Sequence, residues 1–162
     1  MAPFTIRPYR PDDLPAVCAV TVACFEGVSI DRNIERRFGP VGGRGWAERK
    51  ARDLALDCAE QPDGVFVAEA DGTIVGYVTT RLDHFAHIGR IPNLAVTEAH
   101  RGRGVASTLV RHALDWMRGR GMALAKIETL EQNERGQSLY PKLGFQEVAR
   151  QVHYVMPLPA ER

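Results

Sequence analysis

The sequence lacks the features that mark several large classes of protein. Its 21 lysine and arginine residues are balanced by 20 aspartate and glutamate residues, which leaves a formal net charge of +1. Such a chain has no overall field that would draw it to nucleic acid or to an anionic membrane. No window has the apolar length of a membrane-spanning helix, and the N-terminal residues do not resemble a signal peptide. We therefore expect a cytoplasmic globular protein with neither nucleic acid nor membrane as its partner.

Cysteine and histidine are also sparse. The three cysteines, Cys18, Cys24 and Cys58, show no paired spacing, so we expect small buried thiols in a reducing compartment rather than a disulfide framework. Among the five histidines, His84 and His87 lie close together in "DHFAH". Two histidines are too few ligands for a zinc site. The sequence therefore predicts no bound metal.

The composition that is present is that of one ordinary domain, residues 1–162, with 44% hydrophobic and 25% charged residues. Alternation predicts a first strand at "FTIRPY", and Pro11 followed by two aspartates begins a helix. Further helices are expected over "SIDRNIERRF" and from Trp46 to Glu60. The sequence thus predicts mainly helices between the first strand and the strand that begins at about residue 65.

A hairpin follows in the middle of the chain. Asp71-Gly72 lies between two alternating runs, which predicts antiparallel strands at about 65–70 and 73–82. The next strand, "HIGRIPNLAV", contains Pro92. Because proline cannot donate to a β-ladder, regular pairing must fail there, either at a bulge or at a sheet edge.

The second half predicts a strand–helix–strand crossover. A helix follows "TEAHRGRG" and ends at Gly119, "LAKIETL" is the next strand, and another helix runs from Asn133 to Gly144. "FQEVA" and "VHYVMPL" are expected to form a closing antiparallel pair. The sheet should therefore be mixed.

The loop "RGRG" before the central helix is a candidate anion site. The first N–H groups of a helix lack internal partners and carry partial positive charge, and Gly102 and Gly104 let an anion approach the backbone closely. Arg101 and Arg103 add charge-assisted donors. A solvated turn is the plain alternative, and the loop alone does not decide between them.

Two other phosphate motifs fit poorly. A P-loop needs a lysine that this loop does not contain. The dinucleotide fingerprint shares the spacing of Gly102 and Gly104, and Glu128 ends the next strand, where a ribose-binding acid would lie. However, Ser107 stands where glycine or alanine is needed, and only 34 residues follow Glu128. A nicotinamide-dependent oxidoreductase is the less favoured alternative.

Two segments together resemble the GNAT superfamily of acyl-CoA-dependent N-acetyltransferases. "NLAVTEAHRGRGVASTLVRHAL" matches its Arg/Gln-x-x-Gly-x-Gly/Ala signature, and "IETLEQNERGQSLYPKLGF" matches its second signature, from Asn133 to Phe145. Glu98 replaces a common proline, and Gly136 replaces the usual alanine, at an expected cost of about 1 kcal/mol in the helix. The match covers about residues 93–146.

The resemblance implies a fold and a cofactor site. The fold would be mixed α/β (α+β) in a single domain, with a mostly antiparallel sheet of about six or seven strands, a splayed central pair, and helices on both faces. Acetyl-CoA would lie in a cofactor region of about 88–146, with pantetheine beside the splayed strand and pyrophosphate on the loop amides. The implied contacts are Leu94, Ala95, Val96, Arg101, Gly102, Arg103, Gly104, Val105, Ala106, Ser107 and Asn133.

The resemblance also implies catalytic roles. Tyr140 falls on the position of the family's general acid, which protonates the leaving thiolate, and a backbone N–H, that of Leu94, would stabilise the oxyanion. Glu128 matches a base proposed in similar acetyltransferases, but an ion pair with Lys126 explains it equally well. His84, His87 and a water relay stay open as alternative routes for the proton.

The acceptor is expected over about residues 26–62, where Asp31 and Glu35 could hold a cation, although a solvated helix face explains them as well. It would be a small-molecule amine or a peptide or protein N-terminus, attacking the thioester directly. A homodimer is possible on this sequence, and a non-catalytic acyl-CoA-binding module is the other alternative to the enzyme.

Overall fold

The computed structural model describes residues 3–159. Within these residues the chain forms seven strands and five α-helices. In chain order they are β1 (Thr5–Pro8), α1 (Leu14–Phe25), α2 (Ile30–Phe38), α3 (Trp46–Glu60), β2 (Phe66–Ala70), β3 (Thr73–Val78), β4 (Arg81–Asp83), β5 (Ile88–Ile91), β6 (Leu94–Val96), α4 (Val105–Gly119), β7 (Leu124–Ile127) and α5 (Glu134–Lys142).

The predicted hairpin is confirmed. Asp71 and Gly72 join β2 to β3 with φ of 49° and 72°, and two successive positive φ values are what a two-residue hairpin turn requires. The predicted second strand is nevertheless too long. The chain leaves β3 after Val78, and β4 pairs in another sheet, because the alternating pattern continues across the point where the strand changes its partner.

The strands form two sheets, ordered β1-β2-β3-β6 and β4-β5-β7. The break between them lies at Pro92 and Asn93, which separate β5 from β6. β5 pairs parallel with β7, whereas β6 pairs antiparallel with β3. The failure of pairing predicted at Pro92 is therefore the point where the two sheets separate, and the splayed central strands are confirmed.

Helices cover both faces of the first sheet. Buried residues of α4, among them Val105, Leu109 and Val110, pack with Phe66 and Ala68 of β2. On the other face, α1 and α3 pack against Tyr77 of β3, Val67 of β2 and Val65 just before β2. The buried helix residues there are Val17, Val20, Leu54 and Cys58. Successive residues of β2 face opposite sides of the sheet, so this strand contributes to both layers, and the mixed α/β class is confirmed.

The predicted closing strand pair is wrong. Residues 146–159 form no strand, and the apolar side chains of "VHYVMPL" are exposed, Val152 by 72% and Tyr154 by 91%. β7 pairs on one edge only. Alternation favours a strand only where a partner is available, and the described residues offer this segment none.

All three cysteines are free. Burial raises their pKa values, that of Cys58 to about 12, which lowers the reactivity of these thiols. Cys58 is buried as expected, whereas Cys18 and Cys24 are half-buried. Among the helices of residues 3–159, none alone has the length and apolar character to cross a membrane; one pair bent by 61°, Pro11–Phe25 and Ile30–Phe38, meets the test by length and composition.

Candidate active site

The loop before α4 has unpaired backbone donors. Gly102 and Gly104 adopt φ of 72° and 81°, the left-handed region that favours glycine. The first N–H at the start of α4 to find a backbone acceptor is that of Thr108, which donates to the Gly104 carbonyl at 2.9 Å. Within residues 3–159, the backbone N–H groups at positions 105–107 have no backbone acceptor. Such free donors at the start of a helix are what an anion site needs.

Arg101 fixes this loop to the end of β6. Its Nε donates to the Val96 carbonyl at 3.0 Å, and the thiol of Cys24 donates to the same oxygen at 3.4 Å. Arg103 is exposed. The two arginines therefore differ, because Arg101 holds the loop on the strand while Arg103 extends into solvent.

The register of β6 leaves two of its N–H groups free. Asn93 and Thr97 both pair with the β3 side through backbone hydrogen bonds, and hydrogen-bonded pairs alternate along an antiparallel ladder. Ala95 and Tyr77, which lie opposite each other, therefore form a hydrogen-bonded pair. The N–H groups of Leu94 and Val96, the neighbours of Ala95, consequently point away from β3, to the side where the sheets separate. These two amides are available to a ligand there.

A cleft of about 230 Å³ opens where β5 and β7 end. Its lining joins the end of α3 to three strands and is mostly charged: Asp57, Arg81, Arg90, Ile91, Pro92, Lys126 and Glu128. Within residues 3–159, no three histidine, cysteine, aspartate or glutamate side chains group closely enough to hold a metal ion.

Glu128 lies in this cleft and pairs with Lys126 at 2.6 Å. The hydrogen bond from Lys126 lowers the pKa of the Glu128 carboxyl, against a smaller effect of burial, and Arg90 lowers it further. A lower pKa makes the carboxylate a weaker base. The ion pair anticipated as its alternative explanation is thus present.

Asn133 connects β7 to α5. Its side chain caps the helix by accepting from the Gly136 N–H at 3.2 Å, and it donates to the hydroxyl of Thr129 at 2.8 Å. A Cβ on Gly136 would lie 2.7 Å from the Asn133 amide nitrogen and 3.1 Å from the Tyr140 ring. A Cβ at this position would therefore displace the Asn133 side chain from its capping position.

Tyr140 is on the inner side of α5, and its ring meets that of Phe145 edge-on at 6.0 Å between centroids. Burial raises the pKa of the Tyr140 phenol to about 12. The hydroxyl is therefore protonated at neutral pH and can act as a proton donor.

The structure separates the two histidines from the cleft. His84 and His87 lie in the exposed turn before β5, where the His87 carbonyl accepts from the N–H groups of Ala123 and Leu124 at the start of β7. Glu128 follows the opposite end of β7, about 13 Å away along a strand of four residues. His84 and His87, which the sequence leaves open as proton routes, therefore lie at the opposite end of β5 and β7 from Glu128.

Asp31 and Glu35 have internal partners. Asp31 accepts from the Arg49 side chain at 3.4 Å, and Glu35 accepts from Arg32 and from the Trp46 N–H at 3.3 and 2.5 Å. These carboxylates hold α2 against the start of α3. They are neither a solvated face nor free to bind a cation.

Sequence reasoning missed Asn93, which is 2% exposed. Its side chain donates to Asp57 at 2.7 Å and to Thr79 at 2.9 Å, and it accepts from Lys50 at 2.7 Å. Burial lowers the pKa of Lys50. The sequence does offer one signal for Asn93: it directly follows Pro92, where strand pairing is predicted to fail.

Comparisons with known proteins agree with this architecture. The profile of the Acetyltransferase (GNAT) family matches residues 30–145. A mycothiol acetyltransferase of Thermomonospora curvata is 30% identical over 165 aligned positions, which cover 94% of this chain and 54% of that protein. The chain thus spans about half the length of this curated relative.

Two crystal structures share the fold. PH1933 from Pyrococcus horikoshii OT3 superposes with a TM-score of 0.75 at 22% identity, over 93% of both chains. The PaiA N-acetyltransferase of Thermoplasma acidophilum, in complex with coenzyme A, gives 0.72 at 20% identity, over 89% of this chain and 90% of that one. With the family profile covering most of the sequence, the chain belongs to the GNAT family of acetyltransferases.

Proposed function

We propose that the protein transfers the acetyl group of acetyl-CoA to a primary amine by direct attack. The observation that carries this proposal is the adjacency of two sets of unpaired amides, those of the loop before α4 and those of Leu94 and Val96 on β6. The Arg101–Val96 hydrogen bond holds the two sets together. Two neighbouring sets of free amides suit one extended ligand that has a diphosphate at one end and amide groups along its arm.

The loop would bind the pyrophosphate and β6 would bind the pantetheine arm. In this proposal the amides of Gly102 to Ser107 donate to the phosphate oxygens, with Arg103 adding charge. Leu94 and Val96 hydrogen-bond to the arm, while Ala95 lies between them with its backbone engaged by Tyr77. Coenzyme A in the related Thermoplasma structure supports this choice of ligand.

The reaction would form a C–N bond and break a C–S bond. The neutral amine attacks the thioester carbonyl, and the Leu94 N–H donates to the oxyanion that forms. Collapse expels the thiolate, which takes a proton from the Tyr140 hydroxyl. The amine nitrogen becomes acidic once it has attacked, so even the weakened base Glu128 accepts its proton, directly or through water. The proton held by Glu128 then passes to solvent, and a proton from solvent restores the Tyr140 phenol.

Asn133 would act as a positioning residue. It caps the helix that carries Tyr140 and bonds to Thr129, next to Glu128. One side chain thereby fixes the spacing between the proposed acid and the proposed base. The cofactor region of about 88–146 remains part of this proposal, and the acceptor region of about 26–62 reaches the cleft through Asp57 near the end of α3.

Release of free thiol from acetyl-CoA tests the proposal. We expect amine-dependent release that Tyr140→Phe slows about 10²- to 10⁴-fold, the usual contribution of general acid–base catalysis. Coenzyme A binding should be kept, as measured by calorimetry. Binding without thiol release for every amine offered would indicate a non-catalytic acyl-CoA-binding module instead.

A homodimer belongs to the same proposal. The exposed apolar side chains of residues 148–158 and the open edge of β7, with Leu124 65% exposed, are surfaces that a second copy would cover. Sedimentation should give a dimer that Tyr154→Glu dissociates. A wild-type monomer at micromolar concentration would contradict this part.

A further inference from the structure

A row of three cations crosses the second sheet. Arg81 on β4 lies opposite Arg90 on β5, and Arg90 lies opposite Lys126 on β7. Directly opposed residues project their side chains from the same face of a sheet. A Cβ on Gly89 would meet Met117 of α4, so its neighbour Arg90 points to the other face, and all three cations line the cleft.

Like charges directly opposite each other destabilise a sheet, so the row needs anions. The outer two cations have them. Arg81 pairs with Asp57 at 2.5 Å and with Glu60 at 2.8 Å, and Lys126 pairs with Glu128 at 2.6 Å.

Arg90, in the middle, has none. Within the described part of the chain, it makes no ion pair or hydrogen bond through its side chain. Asp57 is already shared, because it also accepts from the Asn93 amide at 2.7 Å. The cleft therefore presents an exposed guanidinium with no anion in direct contact. Beside it, Glu128 pairs with Lys126, but its side chain is 66% exposed, so a carboxylate oxygen is left for an amine.

We propose that the acceptor is a small amine that carries a carboxylate, and that Arg90 binds this carboxylate. The inference rests on the proposed acetyl transfer. A guanidinium fork matches a carboxylate with two parallel hydrogen bonds, while Glu128 faces the ammonium end of the same molecule. The cleft volume of about 230 Å³ leaves room for a free amino acid.

Binding of a carboxylate by Arg90 would reduce the range of acceptors that the site accepts. A peptide or protein N-terminus has an amide where a free amino acid has its carboxylate, so it leaves Arg90 without a partner. An amine that carries a phosphate can also pair with Arg90 through two oxygens, so phosphoethanolamine is the comparison that separates the two acid groups.

The experiment compares each standard amino acid with its carboxamide. Thiol release at saturating acetyl-CoA gives kcat/KM for both, and we expect the best acceptor to lose at least about tenfold as its carboxamide, the usual weight of a hydrogen bond to a charged group. Arg90→Gln should bring acid and amide to the same kcat/KM. Arg111→Gln, which removes the same charge from the exposed side of α4, should leave the preference intact.

A second measurement separates this inference from the proposed reaction. Addition of the amino acid, without acetyl-CoA, should shift the NMR resonance of the Arg90 Nε–H, and the carboxamide should not. If the shift occurs but no amine releases thiol, the acetyl transfer is wrong and the carboxylate site stands. If thiol is released and amides, short peptides or phosphoethanolamine serve as well as amino acids, or Arg90→Gln keeps the preference, the inference is overturned.

Discussion

Replacing Asn93 with alanine should destabilise the protein strongly. Asn93 stands at the point where the two sheets separate, and its buried amide joins that point to α3. Three side-chain hydrogen bonds would be lost, those to Asp57, Thr79 and Lys50. Two of these bonds involve a charged partner, Asp57 or Lys50. In the variant, both charged groups would be partly buried without their hydrogen bond to the amide.

The magnitude follows from these partners. A hydrogen bond to a charged group contributes roughly 1.5–3 kcal/mol and a neutral one about 1 kcal/mol. Water can reach the partly buried Lys50 and Asp57 in the variant and recovers some of this loss, so we expect a decrease of about 3 kcal/mol in the free energy of unfolding. For a chain of 162 residues, that corresponds to a Tm lower by about 6–12 °C.

Urea unfolding followed by the fluorescence of Trp46 and Trp116 measures this loss. Asn33→Ala is the matched control, because the Asn33 amide makes its hydrogen bonds to Gln132 at the surface, and we expect a change within about 0.5 kcal/mol. An Asn93→Ala variant within 1 kcal/mol of the wild type, at an unchanged m-value, would refute the view that this amide holds the separation of the sheets.

Three further predictions follow from the loop and from α5. Gly104→Ala should weaken coenzyme A binding in calorimetry, because alanine in the left-handed conformation costs about 1–2 kcal/mol; unchanged affinity would show that the loop conformation does not matter. Gly136→Ala should lower the Tm and kcat together, because its Cβ would displace the Asn133 cap; a higher Tm, as helix propensity alone predicts, would contradict this. The Tyr140 phenol should titrate near pH 12 in ultraviolet absorbance. Since burial raises its folded pKa, its contribution to stability is complete below pH about 10 and is lost as the pH rises towards 12, and Tyr140→Phe should remove this loss; a stability profile in alkali equal to that of the wild type would count against it.

Much of the fold is readable from the sequence because its signals are local. The helix Trp46–Glu60 follows from its apolar periodicity, and the hairpin at Asp71-Gly72 follows from turn chemistry. The break at Pro92 follows from the missing N–H. What the local pattern does not contain is a strand's partner, so the division of residues 73–83 between two sheets and the unpaired segment 146–159 were both missed.

The same distinction holds for the candidate site. The loop before α4 could be recognised, since its glycines and arginines are consecutive in the chain. Arg81, Arg90 and Lys126 form a row only through the register of three strands, and no spacing along the sequence reveals it. Asp31 and Glu35 look available in the sequence, yet the fold places arginines on both.

An NMR titration with coenzyme A tests the central claim most directly. With backbone amides assigned, we expect large shifts at Gly102 to Ser107, where the diphosphate would bind, and at Leu94 and Val96, where the arm would bind. Smaller shifts should appear in α5 around Tyr140. Shifts confined to other parts of the surface, or none at coenzyme A concentrations that saturate related acetyltransferases, would contradict the account.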